Sequence, residues 1–279
     1  MTILEHPDAQ ALLDDALLTE EQLLELGQRL QPFLARYLPL FQRAEQRHNA
    51  ALILQGKLSS LSRKTSEPIA HLFGVRREVL QDFVGASPWD DDDVLEGLRH
   101  HVTQAWGDPQ GVLCGDGSGF PKKGEHSCGV KRQYCGRLGK VDNCQIGVFL
   151  GYACRHGQVL LDHRLFLPPE WTEDTARREE TGIPETVGYQ EEWEILLDLI
   201  DACKEVPHAW VTADSEFGRV NEFRAGLRQR QEQYVVDVRA DLRLRDLRAA
   251  PPRRKGKTGR IPAVAAETSA LAWTRAQPA

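Results

Sequence analysis

A change of hydrophobic period near residue 107 constrains this chain more than any other feature. Up to that point apolar residues recur every three to four positions, as in Leu23, Leu24, Leu26, Leu30, Phe33, Leu34, Tyr37, Leu38 and Phe41, which is the spacing of one or two amphipathic helices. Ser66-Glu67-Pro68 is a helix start signal, and Ser87-Pro88 punctuates before Asp90 to Asp93, four acids expected to form a solvated helix N-terminus. Gly107-Asp108-Pro109-Gln110-Gly111 then closes the helical part. Short β-rich runs follow: GVLCG, SCGVKRQY, and the pair NCQIGVFLGYAC and QVLLDHRLFL, which reads as a hairpin around Arg155-His156-Gly157. Residues 191–205 return to helical period, AWVTA (209–213) is a buried strand, 218–231 a helix and QYVVDV (233–238) another strand. The order expected for the core is β-β-β-α-β-α-β. An antiparallel opening followed by αβ alternation predicts a mixed sheet flanked by helices.

This organisation divides the 279 residues into an all-helical region over 1–106, a core over 107–250 and a basic, Pro/Gly-rich stretch over 251–279 whose segment PPRRKGKTGR reads as loop or disorder. The first residues show neither a basic n-region nor an apolar h-region, and no run approaches about 18 consecutive apolar residues. The expectation is a cytoplasmic protein with reduced thiols and no membrane partner. Five of the six cysteines fall within 114–154, and His126, Cys128, Cys154 and His156 raise the question of zinc. There is no C-x₂-C pair, so these cysteines read as buried strand residues.

Within the helical region, PIAHLFGVRREVLQDFV spaces Ala70, Gly74 and Leu80 as a helix-turn-helix requires: a small residue at the helix contact, a glycine at the turn, an apolar residue seating the second helix. Arg76 and Arg77 would open that second helix, where phosphates or base edges are met. An ordinary helical hairpin fits the same spacing.

Two aspartates fall where α/β folds place their chemistry, at the C-terminal ends of strands: Asp116 after GVLCG and Asp214 after AWVTA. Two carboxylates brought together repel, and a divalent cation with a taste for hard oxygen, Mg²⁺ or Mn²⁺, relieves that repulsion. The glycine-rich segment after Asp116 fits neither the P-loop nor the dinucleotide fingerprint. Basic residues instead surround it: Lys122, Lys123, Lys131, Arg132, Arg137 and Lys140 stand against two acids over 114–140. A carboxylate beside a positive, glycine-hinged surface suits the cutting of a polyanion. Trp171 is expected to pack a connecting loop, Tyr134 and Trp210 to pack in or beside strands, and Glu216, two residues after Asp214, to lie on a surface turn or else approach a metal. Ser118 and His126 lack a nucleophile elbow, so an acyl hydrolase is not indicated.

The stretches DGSGFPKKG through RQYCGRLGKVDNCQIGVFLGYA, LFLPPEWTED, WVTADSEFG and QYVVDVR resemble the DDE-type transposases of bacterial insertion sequences, DDE superfamily endonucleases with a ribonuclease-H-like core. The resemblance spans roughly residues 20–250. It implies a ribonuclease-H-like sheet and Asp116 and Asp214 as catalytic metal ligands. It also implies Mg²⁺ or Mn²⁺ as cofactor, transposon-end and target DNA as partners, a homo-oligomer, and work on DNA in the bacterial cytoplasm. Lys122, Lys123, Lys131, Arg132, Arg76 and Arg77 become DNA-contact candidates. The family's third carboxylate, a Glu on a helix after the fifth strand, has no counterpart that can be identified: after Asp246 the only acid is Glu267, in AETSALAW. The expectation is a core truncated at its C-terminus, the last residues being the start of an insertion, and a chain inactive by itself. A truncated transposase that binds DNA or a full-length partner, and a metal-dependent DNA nuclease, are the alternatives.

The average charge does not oppose DNA. The formal net charge is -6, yet residues 1–28 carry seven acids and no Lys or Arg, while 219–260 carry 13 Lys or Arg against five acids.

Overall fold

The structure is a computed structural model that describes residues 20–238. The stretch 251–279 and Glu267 lie outside the described residues, as does most of the acidic N-terminus. Five helices come first: α1 (Glu20–Tyr37), α2 (Ala44–Leu58), α3 (Ser66–Phe73), α4 (Arg77–Gly85) and α5 (Asp91–Trp106). The core follows with β1 (Val112–Pro121), β2 (Lys131–Cys135), β3 (Lys140–Cys154) and β4 (Gly157–Leu165). Two short helices, α6 (Pro169–Thr172) and α7 (Thr175–Thr181), lead to α8 (Glu192–Ala202). The chain then gives β5 (Trp210–Ala213), α9 (Ser215–Gly218), α10 (Asn221–Gln229) and β6 (Tyr234–Val236).

The helical region forms where apolar spacing and caps agree. Asp90 caps α5 by accepting a hydrogen bond from the Asp92 N–H at 3.0 Å, and Asp91 to Asp93 fill its first turn, where the helix dipole favours anions. Between α3 and α4, Gly74 adopts φ 66°, the left-handed conformation that ends α3 without a Cβ penalty. Ile69, Ala70 and Leu80 are fully buried against Leu52 of α2. The helix-turn-helix spacing therefore corresponds to two helices packed on a third. Glycine is needed on α2 as well, since a Cβ at Gly56 would lie 2.5 Å from the Ile69 side chain.

The sheet has six strands in the order β2-β3-β1-β5-β6, with β4 also paired to β3. The β1–β3, β2–β3 and β3–β4 pairs are antiparallel, while β1–β5 and β5–β6 are parallel. This mixed open sheet with helices packed on it agrees with a ribonuclease-H-like fold. All four β-rich runs form strands, one more than the expected order counts before α8: the end of SCGVKRQY forms β2, which pairs with the first residues of β3. The expected hairpin is present, Cys154 pairing with Gly157 at its turn. The helix expected over 218–231 is α10, and a one-turn helix that was not expected, α9, precedes it, with Arg219 and Val220 between them.

Burial follows the two periods. Val148, Leu150 and Tyr152 point inward from β3, and Ile195, Leu196, Leu199 and Ile200 form the inward face of α8. Each such side chain contributes about 1.5–3 kcal/mol on burial. Gly115 lets α8 approach β1, because a Cβ there would meet Leu196 at 2.5 Å. The Tyr152 hydroxyl accepts from the Asp108 N–H at 2.9 Å and donates to the Pro207 carbonyl at 2.9 Å. Helix α5 joins the helical region to the sheet through Leu98, Val102 and Trp106 and through an Arg99–Asp162 ion pair of 2.8 Å. Trp171 is buried, its indole N–H donating to the Val130 carbonyl at 2.8 Å, so it does hold the connection after β4. Of the six free cysteines, Cys135, Cys144 and Cys203 are buried and the rest half-buried.

Candidate functional site

β1 and β5 place two aspartates side by side. Their parallel ladder ends with Gly115 opposite Ala213, and the next residue on each strand is Asp116 and Asp214. Asp214 terminates its strand as expected. Asp116 does not: β1 continues to Pro121, paired with β3 throughout, so Asp116 is mid-strand and the glycine-rich segment after it is strand. Glycines at 117 and 119 made the sequence look loop-like, yet the full ladder to β3 holds them extended.

Both carboxylates are half committed. Asp214 caps α9, its Oδ1 accepting from the backbone N–H groups of Glu216 at 3.0 Å and Phe217 at 3.4 Å. Asp116 Oδ1 accepts from the Gly117 N–H at 2.8 Å. Among the described residues neither Oδ2 has a hydrogen-bond donor. Burial holds the Asp116 carboxyl above the usual carboxylate range, and the charge of Asp214 pushes it the same way, against the opposing Gly117 N–H.

A cleft of ≈ 360 Å³ opens over this pair, lined also by Gln133, Tyr134, Glu192 and Glu216. In the sequence Glu192 is marked only as part of a helical run. It is the first residue of α8, whose capping box is made by Glu191 and Glu194, so its carboxyl is not needed for the cap. Burial, then Glu216, Glu191 and Asp214, push it up to about 7, with Arg219 opposing. A Cβ on Gly117 would come within 3.2 Å of its Oε2. The alternating glycines of β1 were the available signal, since they announce that something approaches the strand. Glu216, expected on a surface turn, lies in α9 at the cleft and pairs with Arg219 at 2.8 Å. Tyr134 corrects another expectation: it is on β2 at the rim of the cleft, but its side chain is not packed and is 63% exposed.

The basic candidates are scattered. Lys122 and Lys123 are exposed just past the end of β1, where the Lys122 N–H donates to the Asn143 carbonyl. Lys131 is held by Glu170 at 2.7 Å; Arg132 is exposed on β2. Arg76 and Arg77 stand at the start of α4, outside the cleft lining, with Arg76 3.7 Å from Glu78 and Arg77 2.8 Å from Glu78 and 3.7 Å from Glu67. His126 reaches Glu180 at 3.1 Å, not Ser118. A larger hollow of ≈ 570 Å³ among the N-terminal helices is lined mostly by apolar side chains such as Phe41, Phe83 and Trp89. It offers no acidic group for phosphoryl chemistry.

Among the described residues no three His, Cys, Asp or Glu side chains converge as ligands of one ion. The donor chemistry of Asp116 and Asp214 nevertheless fits a hard divalent cation: two adjacent aspartates, each with one oxygen fixed by the backbone and one open. No helix among the described residues is long and apolar enough to cross a membrane.

A protein of Microchaete diplosiphon described as "Probable transposase for insertion sequence element IS701" is 36% identical over 102 residues, covering 34% of this chain and 27% of that protein. The chain thus matches about a quarter of that relative's length. The family described as DDE superfamily endonuclease, whose members use divalent metal ions, matches residues 36–279, and the chain belongs to it.

Proposed function

We propose that this chain is an insertion-sequence transposase that cleaves and joins DNA by metal-assisted phosphoryl transfer, with Asp116 and Asp214 as the metal-binding carboxylates. The observation that carries the reading is the pair itself: one rung beyond a parallel ladder, with Oδ1 fixed and Oδ2 open on each residue. A bound Mg²⁺ or Mn²⁺ would supply Lewis acidity at the scissile phosphate and lower the pKa of the attacking water or hydroxyl. The protein's own part is to hold the two carboxylates on rigid strands, so that little reorganisation is needed when charge develops. The backbone N–H groups of Gly117, Glu216 and Phe217 fix the carboxylate orientations. Lys122, Lys123 and Arg132 would take phosphates beside the cleft, with Lys131 held in reserve by Glu170. The α3–α4 pair would hold DNA further away through Arg76 and Arg77.

The test is strand cleavage of element-end DNA in Mg²⁺ by the wild type and by D116N and D214N. Each substitution should lower cleavage at least about 100-fold, as expected when several kcal/mol of metal-borne charge stabilisation are lost. DNA binding measured in Ca²⁺ should persist. Cleavage by both variants at the wild-type rate would refute the assignment. The unidentified third carboxylate makes binding without cleavage the alternative outcome for the wild type, and that result would favour a transposase that binds DNA, or a full-length partner, without catalysis.

A further inference from the structure

The β2–β3 hairpin presents an apolar, aromatic face with a basic border beside the carboxylates. Residues of β2 alternate: Gln133 and Cys135 turn inward, Arg132 and Tyr134 outward. The inward side is fixed, since Cys135 is fully buried, a Cβ on Gly119 would lie 2.8 Å from its sulfur, and Gln133 donates to the Cys144 carbonyl at 3.0 Å. Tyr134 is therefore exposed by register. Directly across the ladder is Val141, 55% exposed, and Leu138 in the connecting turn is 42% exposed. Single exposed apolar residues are ordinary, but three together on a rigid hairpin, one of them lining a polar cleft, are not. Arg132 and Arg137 are exposed around them. Positive charge interleaved with an aromatic ring is the chemistry that holds single-stranded nucleic acid, the charge on phosphates and the ring on a base face.

We propose that this hairpin is a nucleobase platform, with Tyr134 stacking on an unpaired base next to the phosphate seated at Asp116 and Asp214. The proposal rests on the reading of the cleft as a DNA-cleaving site. It assigns Tyr134 a positioning role: the stack fixes where the strand crosses the carboxylates, and Arg132 and Arg137 hold the neighbouring phosphates.

The test uses a duplex with a short single-stranded flap carrying one 2-aminopurine, mixed with the protein in EDTA so that no cleavage intervenes. Stacking on Tyr134 should quench the fluorophore in the wild type and in Y134F. Y134A should lose the quenching and bind the flap about 5- to 100-fold more weakly, the span expected for one base–aromatic stack. Affinity for fully paired duplex should change little. Equal flap affinity and equal quenching in Y134A would overturn the platform while leaving the cleavage reading intact. A change of oligomeric state in Y134A with quenching unchanged would overturn it in favour of a contact between copies. Failure of the wild type to bind either DNA would overturn both readings.

Discussion

Glu192 carries a carboxyl raised to about 7 by burial and by its acidic neighbours Glu216, Glu191 and Asp214. Below about pH 4.5 the folded and unfolded chains both hold the proton there, and the group costs nothing. Between 4.5 and about 7 the unfolded chain releases it and the folded chain keeps it, so stability falls as pH rises; above about 7 the cost is complete. E192Q should therefore flatten this part of the pH dependence and stabilise the protein at pH 8 by about 1–2 kcal/mol, allowing for solvent screening. Thermal unfolding in EDTA at pH 5 and pH 8 checks this, and the same pH slope in both proteins would contradict it. Asp116 and Asp214 could be picked out from the chain because each follows a β-rich run. Glu192 could not, because its helical period says nothing about which strand its first turn meets. That depends on Gly115 and Gly117 admitting the helix, a contact between residues far apart in sequence.

At the scale of elements, β1 is the strand most misjudged from sequence. Its first half has the apolar run GVLCG, but its second half, DGSGFP, has the composition of a loop. Its pairing is set by β3, a long strand rich in β-branched and aromatic residues that carries the weaker partner. The helical pair α3–α4 was legible because its signals are local: a turn glycine and two apolar contacts at fixed offsets. The short α9 was not, since it lies ahead of the helical stretch and is set by its Asp214 cap. The close approach of α8 to β1 makes a sharp prediction. G115V would drive a branched side chain into Leu196, whose methyl already lies 2.5 Å from a Cβ position, and should destabilise the fold by about 1–3 kcal/mol. Urea unfolding measures it, and L196A in the G115V background should return part of the loss. No recovery would mean that the helix and strand do not meet there.

On the scale of the molecule, the net charge of -6 averages over unevenly placed charges. The carboxylates gather at one cleft, and the candidate DNA-contacting arginines of α4 sit in a separate helical unit joined to the sheet by α5. Arg77 pairs with both Glu67 and Glu78, whereas Arg76 has only the longer 3.7 Å contact with Glu78 and its side chain is 80% exposed. R76A should weaken duplex binding uniformly across sequences and lower the slope of log K against log salt by about 1, with a smaller effect for R77A. Fluorescence anisotropy over a salt series reads both, and unchanged slopes would remove α4 from the DNA path. The central claim is that Asp116 and Asp214 together bind a divalent ion. Its most direct measurement is Mn²⁺ binding followed by electron paramagnetic resonance of the free ion, without DNA. The account predicts a site in the wild type that weakens at least about 10-fold in D116N and in D214N, the minimum expected when a ligand, not merely its support, is lost. Equal Mn²⁺ binding by wild type and both variants would contradict it.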